Sequence, residues 1–262
     1  MRVFLALVLL ALSGLSHAEI KTQEIPYQSP DGTKLIGYYA YDDAIKGQRP
    51  GVVVHEWWGL NDYTKRRARD LAGLGYSALA IDMYGDGKNT EHPKDAMAFM
   101  QAALKDSAAS SARFQAGLDL LKKQPQTHPD KVAAIGYCFG GAVVLNAARQ
   151  GVPLAGVVSF HGALATKTPA TPGSVKAKIL VEHGALDSMV TADNVAAFKA
   201  EMDKAGADYQ FVSLEGAKHG FSNPDADRLG HGDHGGPDIG YSKAADEKSW
   251  ADMQAFFKKI FG

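Results

Sequence analysis

The stretch Val132-Ala133-Ala134-Ile135-Gly136-Tyr137-Cys138-Phe139-Gly140-Gly141 decides the fold. An apolar run ending in Gly-x-Cys-x-Gly reads as a buried strand that closes on a sharp turn and opens a helix. Small flanking residues permit the strained backbone and lift the middle side chain clear of the sheet. Cys138 is the one cysteine in the chain. A buried cysteine ordinarily behaves as a small hydrophobe, so its surroundings must mark it as a nucleophile.

Outward from this corner, β runs alternate with helical patterns, which predicts a mostly parallel sheet. After an extended start at 20–27 and 34–41, with Asp31-Gly32 as the turn between, the β runs fall at 51–55, 76–82, 131–136, 155–160, 178–183 and 209–214. Most are apolar on both faces, as buried parallel strands are. Helical spacing joins Phe114, Leu118 and Leu121; Val195, Phe198 and Met202; and Trp250, Met253, Phe257 and Ile260. These stripes read as core packing. A further helix starts with Asn61 or Asp62 as N-cap and reaches about Leu74, and its Lys65, Arg66, Arg67 and Arg69 read as a solvated face.

At the N-terminus, Met1-Arg2, an apolar run over 3–12 and then Ser16-His17-Ala18 have the order of a secretory signal peptide cleaved after Ala18. The apolar run is too short to span a bilayer. The expected location is therefore periplasmic or secreted, with 19–262 as a single α/β domain and no stable membrane association after cleavage. An unpaired cysteine in an exported chain points to a free, reactive thiol or an intermolecular disulfide. With 28 basic and 29 acidic residues, a net charge of −1, nothing favours nucleic acid as a partner.

In an open parallel sheet the ligand site lies beyond the carboxyl ends of the strands. Glu56, Cys138, Asp187 and His219 each follow a β run there. Cys138, at a helix N-terminus and beside an imidazolium, could attack a carbonyl carbon as thiolate. His219 could exchange the proton, and Asp187 could hold its tautomer. The backbone N–H groups of Phe139 and Trp57 are the candidate oxyanion donors. Trp58, Tyr84, His161 and Phe221, with Trp57, are candidate pocket walls, although His55, His161 and His183 also read as hydrogen-bonded structural histidines.

The segments Val54-His55-Glu56-Trp57-Trp58-Gly59, Asp82-Met83-Tyr84-Gly85, Gly136-Tyr137-Cys138-Phe139-Gly140-Gly141, Gly184-Ala185-Leu186-Asp187 and His219-Gly220-Phe221 together resemble the dienelactone hydrolase family. The resemblance covers nearly the whole of 19–262 and implies an α/β-hydrolase fold with helices on both faces of the sheet. It implies a carboxymethylenebutenolidase-like, cysteine-dependent hydrolase of a small ester or lactone, acting through a thioester acyl-enzyme. Cys138, Asp187 and His219 would be the triad, with Glu56 a carboxylate that contacts the resting thiol and helps to form the thiolate. Where the family places arginines for a substrate carboxylate, this chain has Asp86 and Asn223, leaving Lys88 and Arg228 as cations that could reach the substrate.

Two other functions compete: a peroxide-reactive thiol redox protein, which would lack a resolving cysteine, and an inactive hydrolase scaffold that binds ligand. No cofactor and no metal is expected. His231-Gly232-Asp233-His234 lies in a Gly- and Asp-rich stretch, 223–240, that reads as a surface loop or lid without fixed ligand geometry.

Overall fold

The computed structural model describes residues 19–230 and 237–262. The expected signal peptide over 1–18 and the His231 to His234 motif lie outside the described residues. An eight-stranded sheet has the order β1-β2-β4-β3-β5-β6-β7-β8. Its strands are β1 (Ile20–Gln28), β2 (Lys34–Asp42), β3 (Arg49–Val54), β4 (Tyr76–Ile81), β5 (Ala133–Tyr137), β6 (Gly156–Phe160), β7 (Lys178–Gly184) and β8 (Tyr209–Leu214). β2 runs antiparallel to β1 and β4, and every pairing from β4 through β8 is parallel. Strands β3 to β7 are apolar and buried almost throughout, whereas β8, at the edge, alternates.

Helices cover both faces. On one lie α1 (Asp62–Gly73) and α7 (Lys243–Phe261), where Leu71, Met253 and Phe257 pack on Val53, Ile135 and Val158. On the other lie α2 (Pro93–Leu104), α3 (Ser107–Lys122), α4 (Phe139–Arg149) and α5 (Ala192–Ala205), where Phe114, Leu118 and Phe198 meet Val52, Val54 and Val181. The short α6 (Ala226–Gly230) follows β8. The helix starts have local causes: Asn61 caps α1, Asp106 caps α3, and Thr191 with Asn194 forms a capping box on α5. Among the described residues, no helix is long and apolar enough to cross a membrane.

Two expectations are corrected. The basic residues of α1 do not all face water: Arg67 is 5 % exposed, in the buried stripe of Tyr63, Thr64, Ala68 and Leu71. Its guanidinium ion-pairs with Asp246 of α7, donates to the Ser222 carbonyl at 2.8 Å and lies 5.0 Å over the Trp250 ring. A cation removed from water needs such partners. Nor is the stretch that begins at 223 all surface loop, because Asn223, Leu229 and Ile239 are buried and α6 lies within it.

Glu182 of β7 is fully buried with no hydrogen-bond partner on either carboxylate oxygen. Burial, and then the charge of Asp252, push its carboxyl from 4.5 up to about 8, with Lys248 partly offsetting them. The folded chain thus keeps a proton that the unfolded chain releases above its ordinary value, so stability falls as pH rises through that window and the loss is complete above about 8. Glu182→Gln is expected to remove this slope. In urea titrations its stability advantage over the parent should grow from pH 5 to pH 9 by on the order of 3 kcal/mol; a pH-independent gap would mean that the carboxyl ionises freely in the fold.

Candidate active site

Cys138 joins β5 to α4 with φ 53° and ψ −113°, a conformation that costs a non-glycine residue about 1–3 kcal/mol. The backbone accepts it because the residues two away on either side, Gly136 and Gly140, have no side chains. A Cβ on Gly136 would collide with the Gly140 carbonyl, and one on Gly140 with the carbonyls of Val54 and His55. The Cys138 N–H is held by the Phe160 carbonyl at 3.0 Å and its own carbonyl accepts the Ala142 N–H. The thiol is partly exposed.

This packing brings the end of β3 against the first turn of α4, with Val54 registered on Gly136. The loop after β3 carries Glu56 and Trp57. The Phe139 N–H, first in α4, has no intrahelical acceptor. His55 fixes the loop from behind: its Nε2 accepts the Met83 N–H at 3.2 Å, which leaves Nδ1–H to donate to the Glu56 carbonyl at 2.5 Å. Burial lowers the His55 pKa, in keeping with a neutral ring. The Tyr84 hydroxyl donates to the Trp57 carbonyl at 3.0 Å, and its ring lies 5.4 Å from that of Phe139. Asp82 shapes the Tyr84 turn by accepting the N–H groups of Tyr84, Gly85 and Gly87, each at 2.8 Å.

Asp187 and His219 come from the loops after β7 and β8. The loops are stitched together by the Leu186 N–H on the Ala217 carbonyl and the Ala185 N–H on the Leu214 carbonyl. One Asp187 oxygen accepts the N–H groups of Met189 and Val190; the other accepts His219 Nδ1–H at 2.8 Å. That leaves Nε2 of His219, buried and without an aligned hydrogen bond, facing Cys138. Burial alone would lower the His219 pKa, but the negative charge that a Cys138 thiolate would place beside it and the bond to Asp187 outweigh it and lift it to about 10.

Glu56 is 3 % exposed, and its Oε2 accepts the Asn223 amide at 2.6 Å. Cys138 is not among its hydrogen-bond partners. Burial raises the Glu56 carboxyl to about 7, against the pull of Asn223 and of the positive charges of His219 and Arg67.

The candidate pocket residues separate. Tyr84 and His161 stand at the site, whereas Phe221 is fully buried core, packed edge-on against His161 at 4.9 Å. Trp58 is 1 % exposed and borders a cleft with Asn61, Glu91 and Arg228. Arg228 is held there by both Glu91 oxygens at 2.8 Å, and Lys88 is exposed. An apolar cavity of about 150 Å³ opens beside α4, bounded by Phe139, Ala142, Val143, Phe114 and Met100.

The links of Asn223 to Glu56 and of Ser222 to Tyr63 and to Arg67 escape a reading by sequence, since they join residues more than 150 positions apart. The nearest signal was the position of Asn223, shortly after His219.

Residues 36–261 match the model of the Dienelactone hydrolase family. A putative carboxymethylenebutenolidase of Saccharolobus solfataricus is 27% identical over 272 residues, covering 91% of this chain and 98% of that one. An uncharacterized protein of Caenorhabditis elegans is 34% identical over 152 residues, 57% of this chain and 92% of its own. The crystal structure of a dienelactone hydrolase-like promiscuous phosphotriesterase from metagenomic libraries superposes with a TM-score of 0.83 at 38% identity, over 94% of this chain and all of the other. The chain is a hydrolase with the α/β-hydrolase fold, and it belongs to the dienelactone hydrolase family.

Proposed function

We propose that the chain hydrolyses small, uncharged esters or lactones through Cys138, His219 and Asp187. The observation that carries this is the 2.8 Å bond from His219 to Asp187, with the opposite ring nitrogen turned to a thiol on a strained elbow. The Cys138 sulfur bonds to the acyl carbon, and the carbonyl electrons pass to an oxyanion received by the N–H groups of Phe139 and Trp57. As the oxyanion collapses, the C–O bond breaks and the imidazolium of His219 protonates the leaving oxygen. Water then attacks the thioester while His219 takes its proton, and the C–S bond breaks to release the acid.

Uncharged substrates are favoured because the nearest cations are already engaged. Arg67 is paired with Asp246, Arg228 with Glu91, and Glu56 adds acidity to the site wall. The apolar cavity beside Phe139 suits a small alkyl or aryl group. The metagenomic relative adds phosphotriesters to the compounds worth testing. Export is proposed from the N-terminal pattern alone; N-terminal sequencing of the secreted or periplasmic chain should begin at Glu19, and an intact cytoplasmic chain would refute it.

On a panel of neutral aryl esters and carboxylate-bearing dienelactones, the neutral compounds should have the higher kcat/KM by about tenfold, the worth of one missing charge-assisted hydrogen bond. Cys138→Ala should fall to background on all of them, and mass spectrometry of the acid-quenched parent should find the acyl group on Cys138. Turnover retained by a folded Cys138→Ala chain sinks the mechanism.

If the Glu56 carboxylate receives the thiol proton, kcat/KM should rise with pH through about 7, where the carboxyl loses its own proton. Glu56→Gln should be slower and lack that inflection. An unchanged profile would reduce Glu56 to a structural partner of Asn223.

A further inference from the structure

One stripe of α4 faces a cavity. Phe139, Ala142, Val143, Asn146, Ala147 and Gln150 recur at the three- and four-residue spacing that gathers side chains on one side of a helix, and all six line the apolar cavity of about 150 Å³. Met100 and Leu104 of α2 and Phe114 of α3 form another wall, and Ala163 and Thr168, in the loop after β6, border it. Leu104 is 51 % exposed, so the cavity reaches the surface at α2.

The stripe begins beside the nucleophile. Phe139 follows Cys138 directly, and the Ala142 N–H donates to the Cys138 carbonyl, which sets Ala142 one helical turn above it. Helical side chains lean toward the N-terminus of their helix, so Ala142 and Val143 lean toward the thiol end. Cys138 itself packs against the apolar cluster that contains Phe139, Val143 and Phe114. From Phe139 to Gln150 the stripe then leads away from the thiol for roughly 16 Å at the helical rise of ~1.5 Å per residue.

None of the lining residues is charged. Toward the far end, polar atoms already have protein partners. Ser111 Oγ lies 2.9 Å from the Ser107 carbonyl and 3.0 Å from Gln150 Oε1, and Asn146 Oδ1 accepts from Arg149 Nη1 at 3.0 Å. An occupant therefore gains chiefly by withdrawing apolar surface from water. Direction decides which half of an ester enters. His219 arrives from β8, on one side of β5, and in the proposed mechanism it protonates the leaving oxygen. Helix α3 packs over β3 and β4, on the other side of β5. The leaving group thus lies toward β8 and the acyl group toward the cavity.

We propose that this cavity is an acyl pocket, which takes the apolar tail of a straight-chain acyl ester and whose volume sets the preferred length. An apolar cavity of about 150 Å³ is the size that takes up benzene, so the tail that fills it has roughly six carbons. The inference rests on the cysteine mechanism above, which fixes where the leaving group stands.

A series of p-nitrophenyl esters from acetate to decanoate tests it. For the parent, kcat/KM should climb about two- to fourfold per methylene, the worth of burying one, to an optimum near hexanoate, and fall beyond it. Ala147→Leu, which fills part of the cavity, should move the optimum to butyrate. Met100→Ala, which widens the cavity at a half-buried position, should move it to octanoate. Lengthening the alcohol of alkyl acetates should give no such optimum. A parent profile without an optimum, an optimum that neither substitution moves, or one that follows the alcohol in place of the acyl chain overturns the proposal. Circular dichroism checks that each variant is folded, and a partial loss of folded enzyme would scale every ester alike. Cys138→Ala, run on the same series, addresses the underlying mechanism: turnover that persists there with the hexanoate optimum removes the thiol as nucleophile and keeps the pocket.

Discussion

The positive φ at Cys138 is the constraint on which the site depends. The elbow is tolerable only if α4 can descend onto the end of β3, and that close approach is why Gly136 and Gly140 carry no side chain. Once α4 is seated there, the Phe139 N–H and the loop bearing Glu56 and Trp57 adjoin the thiol by necessity. The remaining groups arrive at the same edge because β3 to β8 are parallel, so that their following loops gather at one end of the sheet. His161, the residue that follows β6, shares the strained backbone, and its neighbour Phe160 supplies the carbonyl that fixes Cys138. Strain in these two residues therefore belongs to one joint.

Burial at this joint makes charge expensive, and the chain answers by pairing. Asp187 spends its oxygens on two backbone N–H groups and one imidazole, Arg67 meets Asp246, and Glu56 meets Asn223. A carboxylate or guanidinium left alone there would be neutralised or expelled. Glu182 illustrates the alternative on the α7 side of the sheet: with no partner, the carboxyl keeps its proton to about pH 8. Glu56 lies between the extremes, since one amide and two nearby positive charges only partly offset its burial.

How legible this was follows from the range of the interactions. All eight strands were readable because apolar runs bounded by turn residues are local signals, and β8, the edge strand, was no exception. The elbow was readable because its glycines lie within a few residues of Cys138. Helix α2 was not singled out, since only Ala96 and Ala103 of its residues are buried and no large apolar stripe marks it. Arg67 was misplaced for a related reason: three basic neighbours suggested solvent, while its partners, Asp246, Ser222 and Trp250, lie at the other end of the chain. Order along the chain brought Asp187 and His219 into view, but only the fold places their side chains 2.8 Å apart.

Asn223, in the neighbourhood where the resemblance implies an arginine, has consequences beyond the loss of one cation. An arginine there would form an ion pair with Glu56, keep the carboxylate charged, and still offer donors to an anionic substrate. Asparagine gives one neutral hydrogen bond, which leaves Glu56 closer to its protonated form and the wall without a free positive charge. The Arg67 charge sits behind Tyr63 and is balanced by Asp246. A carboxylate brought there would surrender its water without gaining a counter-ion. On the proposed reading, an asparagine here weakens the hold on anions and, with burial, leaves Glu56 titrating near neutral pH.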